Sequence, residues 1–144
     1  MAGPDPVTLH ATAVAFEDRA ALIIGASGAG KSALALEMMA RGATLVADDQ
    51  VILRLENDCV MLSCPDTLCG MIEARDVGIL YAAYRSPVPL SLVIDMNHEE
   101  TVRLPEHRTI TYLTKTFPLL HNVKSKHFPA AILQYLRHEG RADA

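Results

Sequence analysis

Basic residues are sparse and nowhere dense in this 144-residue chain: thirteen Lys and Arg stand against seventeen Asp and Glu, for a formal net charge of −4. Without a Lys/Arg cluster able to track a phosphate backbone, nucleic acid is not an expected partner. Long apolar runs are missing too. None approaches the roughly 20 residues that span a bilayer, so no membrane span is expected. The stretch from Met1 to Val7 is polar, carries two prolines and lacks a basic-then-apolar signal pattern. These absences predict a soluble cytoplasmic protein. Cysteines number only three, Cys59, Cys64 and Cys69, spaced five apart. An odd count without export features predicts free thiols. A zinc site there would need a further ligand such as His98 or His107, and C-x₄-C spacing lies at the edge of the usual range. No repeat or low-complexity tract occurs. The length accommodates one domain, expected over residues 1–144.

Half of the residues are apolar, and they are organised around Gly25-Ala26-Ser27-Gly28-Ala29-Gly30-Lys31-Ser32. This stretch fills the phosphate-loop pattern G-x-x-x-x-G-K-[ST] at every fixed position. Ala20-Ala21-Leu22-Ile23-Ile24 before it reads as a doubly covered strand, and an apolar helix over Ser32 to Arg41, expected to be largely buried, follows. Glycines let backbone N–H groups turn inward around phosphate oxygens, and the helix N-terminus adds partial positive charge. Lys31 is then expected on the β/γ-phosphates and the Ser32 hydroxyl on Mg²⁺.

Gly42 suits the residue beyond the helix, and Ala43 to Ala47 reads as a second buried strand ending in Asp48-Asp49. Ligands of α/β sheets gather outside the carboxyl ends of strands, which places this acidic pair beside the phosphates. Strand side chains alternate, so the two aspartates face opposite ways: one serves Mg²⁺ and the other meets substrate.

Elsewhere, Thr8 to Phe16 reads as a hairpin-like entry containing His10, a residue type more often at the surface than catalytic. Val51 to Leu55 and Cys59 to Leu62 flank the turn Glu56-Asn57-Asp58 as an antiparallel addition. Glu73, Arg75 and Asp76 have the composition of a surface salt-bridge cluster. Leu90 to Asp95 is an apolar strand capped by an acid and leading into a polar turn, Met96 to Glu100, which makes Asp95 a rival to Asp48 for Mg²⁺. Thr109 to Thr114 is rich in β-formers, and Pro118 to His127 reads as a loop. A helix over Pro129 to His138 closes the chain, with Ile132, Leu133 and Leu136 as its core stripe. The fold class expected is α/β: a phosphate-loop-containing mixed sheet with antiparallel additions and few helices.

The phosphate loop, Arg41-Gly42, Leu45-Val46-Ala47-Asp48-Asp49 and Ile72-Glu73-Ala74-Arg75-Asp76-Val77-Gly78-Ile79, in this order, resemble HPr kinase/phosphorylase. The resemblance is strongest over residues 8 to 80. It implies a serine kinase that uses ATP and Mg²⁺ to phosphorylate the phosphocarrier protein HPr, in many members also removes that phosphate, and usually forms hexamers. By position, Asp49 resembles the proton acceptor with Asp48 beside it; Lys31 holds phosphate, Ser32 and Glu73 resemble the Mg²⁺ ligands, and His10 and Arg75 complete the site. Three departures stand out. The chain resembles a catalytic-domain-only form; Asp76 stands where the family has glycine; and Phe117 to Pro129 lacks the Pro-Gly-Arg-Asn loop, for which Lys124 or Lys126 supplies charge without guanidinium geometry. The competing readings are a phosphate-loop kinase for another substrate, a GTPase, which would carry an N-K-x-D motif absent here, and a non-catalytic nucleotide sensor.

Overall fold

The computed structural model describes residues 3–143; Met1, Ala2 and Ala144 of the expected 1–144 domain lie outside the described residues. The chain opens with three strands, β1 (Val7–Leu9), β2 (Thr12–Phe16) and β3 (Arg19–Ile24), and the helix α1 (Lys31–Met39). β4 (Thr44–Ala47), β5 (Val51–Glu56), β6 (Cys59–Ser63), β7 (Met71–Ala74) and β8 (Gly78–Tyr81) follow. A long β9 (Val88–Glu99), β10 (Arg108–Tyr112), β11 (Lys115–Asn122) and the helix α2 (Phe128–His138) complete it.

Nine strands form a mixed sheet in the order β1-β5-β6-β9-β3-β2-β4, with β11 also on β9 and β10 on β11, while β7 and β8 pair apart from it. β9 is the spine. Its first two residues pair with β6, and the rest runs parallel to both β3 and β11. Because β2 is antiparallel to both of its neighbours, β3 and β4 point the same way across it. Their carboxyl ends therefore open on one edge of the sheet. There the phosphate loop and Asp48-Asp49 meet, as expected for α/β sheets.

Alternation along the strands divides the core into two layers. Val14, Phe16, Ala21, Ile23, Leu92 and Ile94 face α1 and α2, where they meet Leu34, Met38, Ile132, Leu133 and Leu136. Ala13, Ala15, Ala20, Leu22 and Val93 face the other way, against Val51, Leu53, Val60 and Leu62 of β5 and β6. A bulge at Ser91, where the β3 partner advances only from Ala20 to Ala21 between Leu90 and Leu92, keeps Leu90 in this second layer. Each fully buried Leu or Ile is worth about 1.5–3 kcal/mol. Leu136→Ala, emptying a 1%-exposed position, would cost about 2–5 kcal/mol.

Several sequence expectations need correction. The helix after the loop is only half-sunk: Lys31, Leu34, Ala35 and Met38 are buried while Glu37 pairs with Arg41 in solvent. His10 sits in a bend between β1 and β2 because the two strands pair with different partners, β5 and β3. The polar segment Met96 to Glu99 continues β9 rather than ending it. The first half of the expected 118–127 loop, through Asn122, is β11, which tolerates Pro118 because pairing with β9 begins only at Leu119. Cys64 and Cys69 are joined as a disulfide, and Cys59 alone is free. The turn 66–70, closed by the Leu68 N–H on the Pro65 carbonyl, brings the two sulfurs together, a closeness that their spacing did not reveal. Glu73, Arg75 and Asp76 form no salt-bridge cluster among the described residues.

Candidate active site

Gly25 to Gly30 arches from the end of β3 into α1. Gly25, Gly28 and Gly30 have φ of 150°, 84° and 96°, a region that side chains disfavour. A Cβ on Gly25 would also lie 3.1 Å from the Cβ of Met96 and 3.2 Å from that of Ala29. The start of the loop is pinned to β9, since the Ala26 N–H donates to Asn97 Oδ1 at 2.9 Å. At its other end, α1 has no side-chain cap and no acid in its first turn. That leaves N–H groups and positive partial charge for an anion. Lys31, only 7% exposed, reaches back over the loop and donates to the carbonyls of Gly25 (2.7 Å) and Ala26 (3.0 Å).

Asp48 is the buried half of the acidic pair. Its Oδ1 accepts from Ser32 Oγ at 2.7 Å and from Thr12 Oγ1 at 2.8 Å, and its Oδ2 accepts from the Glu73 N–H at 2.9 Å. One carboxylate thus ties together α1, β2 and β7. Ser32 and Asp48 offer a hydroxyl and a carboxylate, the hard oxygen donors that Mg²⁺ takes. The Glu73 and Arg75 side chains are exposed on β7 and just beyond it. Being two residues apart they project to the same side, and neither has a hydrogen-bonding partner among the described residues.

Asp49 is the exposed half. β4 has ended at Ala47, and Asp49 adopts a left-handed φ of 71° while the Gln50 N–H closes on the Asp48 carbonyl. This turn sends the two carboxylates apart. Asp49 Oδ1 lies 3.3 Å from His10 Nδ1, and His10 Nε2 lies 3.3 Å from Ser27 Oγ in the loop. His10 therefore bridges the acid and the phosphate loop, with both of its side-chain contacts at the solvent-facing mouth.

Asp95 makes no hydrogen bond or ion pair with Ser32 or Lys31. It faces β11 and accepts from the Asn97 N–H at 2.9 Å, with His98 Nδ1 2.8 Å from its other oxygen. Burial, reinforced by the Asp95 charge, pushes the Tyr112 phenol above its ordinary value. Lys124 and Lys126 share a cleft with Glu37 and Arg41 at the C-terminal end of α1, the end away from the loop, so neither supplies charge at the phosphates. Thr12 and Asn97 are the residues that sequence reasoning missed. A lone hydroxyl in the small apolar run of β2 was a faint signal for Thr12; nothing local marked Asn97.

This arrangement has known counterparts. The HPr Serine kinase C-terminal domain family matches residues 5–107. The chain belongs to this family. It is 38% identical over 110 residues to the HPr kinase/phosphorylase of Cupriavidus metallidurans, covering 69% of this chain and 34% of that protein. With the HPr kinase/phosphorylase of Peptoclostridium acidaminophilum the identity is 46% over 74 residues, covering 51% of this chain and 24% of the relative. The chain spans about a third of the length of the curated relatives it matches. The Hpr(Ser) kinase/phosphatase from Coxiella burnetii has a similar structure, with a TM-score of 0.77 at 25% identity over 92% of this chain and 90% of that one. The mixed curled sheet with few helices is thus the fold of the HPr kinase C-terminal domain. Among the described residues, no helix is long and apolar enough to cross a membrane.

Proposed function

We propose that this chain is a single cytoplasmic catalytic domain that transfers the γ-phosphoryl group of ATP, with Mg²⁺, to a serine of the phosphocarrier protein HPr. The observation that carries the reading is the division of labour between neighbouring aspartates. Asp48 is held inside by Ser32, Thr12 and the Glu73 N–H, while Asp49 stands open at the loop mouth beside His10.

Phosphoryl transfer has a loose transition state, so positioning and charge neutralisation outweigh full deprotonation of the nucleophile. The loop N–H groups and Lys31 hold the phosphates, Lys31 exchanging its carbonyl partners for phosphate oxygens. Ser32, Glu73 and Asp48 are the residues to hold Mg²⁺, which when bound neutralises charge developing on the phosphate oxygens. Asp49 accepts the serine proton as the serine oxygen bonds to phosphorus and the bond to the ADP oxygen breaks. His10 orients Asp49 against the loop, and Arg75, whose side chain has no hydrogen-bonding partner among the described residues, is available to phosphate. In the reverse direction inorganic phosphate attacks phosphoserine, and protonated Asp49 returns its proton to the departing serine oxygen. Assembly into a homo-oligomer, a hexamer by family resemblance, is supported by the bare apolar surface of Val77, Ile79 and Tyr81, which are 75%, 63% and 93% exposed.

Incubation with labelled ATP, Mg²⁺ and HPr tests the reading. Label on an HPr serine, absent with Lys31→Ala, is expected. Tight ATP binding without transfer would overturn it in favour of another acceptor or a nucleotide sensor.

A further inference from the structure

Beyond the phosphate site, one cluster brings together side chains with no part in that chemistry. In the parallel ladder between β9 and β11, His121 lies opposite Asp95. The next pairing is Asn122 with Glu99, so β11 advances by one residue while β9 advances from 95 to 99. Met96, Asn97 and His98 are accommodated in this bulge, and the detour folds His98 back over Asp95. The His98 and His121 rings stack with centroids 5.2 Å apart, 26° from parallel. One ligand atom from each of Asp95, His98 and His121 lies within 4.8 Å of the other two.

We propose that Asp95, His98 and His121 bind one divalent transition-metal ion of the zinc class and that the ion ties β9 to β11 beside the phosphate loop. Two imidazoles and a carboxylate, with a water in the fourth position, form a tetrahedral donor set. Bonds of about 2.0–2.2 Å set tetrahedral ligand atoms roughly 3.4 Å apart, so atoms up to 4.8 Å apart close in while the 2.8 Å contact of His98 Nδ1 with Asp95 Oδ2 opens. The mobile partner in that adjustment is His98, whose side chain is 65% exposed. Asp95 is already oriented, because the Asn97 N–H holds its Oδ1 and leaves Oδ2 toward His98; such outer hydrogen bonds fix a ligand and raise its affinity. Imidazole donors select zinc, cobalt, nickel or copper over magnesium, so this site is chemically distinct from the oxygen donors around Asp48. Asn97, inside the same bulge, also holds Ala26, which places the ion two residues from a contact that positions the phosphate loop. His121 lies outside the segment matched by the family.

The test is calorimetric titration of chelator-stripped protein with zinc in excess Mg²⁺, which occupies the oxygen site. One equivalent is expected to bind and to raise the melting temperature. His98→Ala and His121→Ala are each expected to weaken binding at least about tenfold, and the double variant to lose the thermal shift. Zinc binding of unchanged affinity in the double variant, or no saturable binding to the wild type, overturns the proposal. Cobalt(II) on the wild type gives a readout that needs no variant. Intense visible bands of a four-coordinate ion support the site, and the pale spectrum of an octahedral ion overturns it.

Discussion

Ser32 and Asp48, sixteen residues apart, meet in a 2.7 Å hydrogen bond from the serine hydroxyl to the buried carboxylate. The bond joins the first turn of α1 to the end of β4, and Thr12 and the Glu73 N–H converge on the same carboxylate. Asp48→Ala would strand all three donors. Each unsatisfied buried partner costs about 1–3 kcal/mol, so a loss of at least about 2 kcal/mol is expected. Urea unfolding of the variant measures it; a change under about 0.5 kcal/mol would mean that water replaces the carboxylate.

Asp49 should behave in the opposite way. It is exposed and, among the described residues, its carboxylate pairs only with His10, so Asp49→Asn is expected to change stability by no more than about 0.5 kcal/mol. A lost proton acceptor, by contrast, lowers phosphoryl transfer by about 10²–10⁴-fold. Paired unfolding and initial-rate measurements separate the two effects, and near-normal transfer would remove Asp49 from the mechanism.

Gly25→Ala combines a left-handed φ with close approach to Met96 and Ala29. Strain of about 1–3 kcal/mol is expected, relieved by moving the loop start off Asn97. Nucleotide affinity, followed with a fluorescent ATP analogue, should fall roughly tenfold or more.

Glu100 carries a pH signature. Burial pushes its carboxyl upward, but the Arg108 side chain and the N–H groups of Val102 and Thr101 outweigh burial and hold it below the ordinary value of 4.5. A depressed folded value stabilises the protein above the unfolded value, and that stabilisation is lost as pH falls through the folded one. Glu100→Gln should therefore cost about 1 kcal/mol at neutral pH, with the difference from wild type shrinking below pH 4.5. Urea midpoints across pH 3–7 check it, roughly the range over which a carboxylate titrates.

Ile79 and Tyr81 lie in β8, which is exposed at all four residues. Burial of such an apolar patch is a common basis of self-association. Ile79→Asp with Tyr81→Asp is expected to shift light-scattering mass toward the monomer without lowering the melting temperature of the domain.

What the sequence determined by itself was local and periodic. The phosphate loop between an apolar strand and a helix, the β5–β6 hairpin around Asn57-Asp58 and both helices follow from glycine placement, turn residues and periodicity over a few positions, whereas Asp48 and Asp49 are parted by a turn beyond β4 and not by the strand alternation expected of them. Tertiary structure alone decided which distant groups meet. Thr12 reaches Asp48 because β2 lies between β3 and β4. Asn97 reaches Ala26 because β9 runs parallel to β3, and the bulge that carries it also stacks His98 over His121. The reversal through Pro65 to Gly70 joins Cys64 to Cys69. Such contacts depend on strand order and register, which no spacing along the chain encodes, since a strand pairs by the surface it buries and not by its distance in sequence.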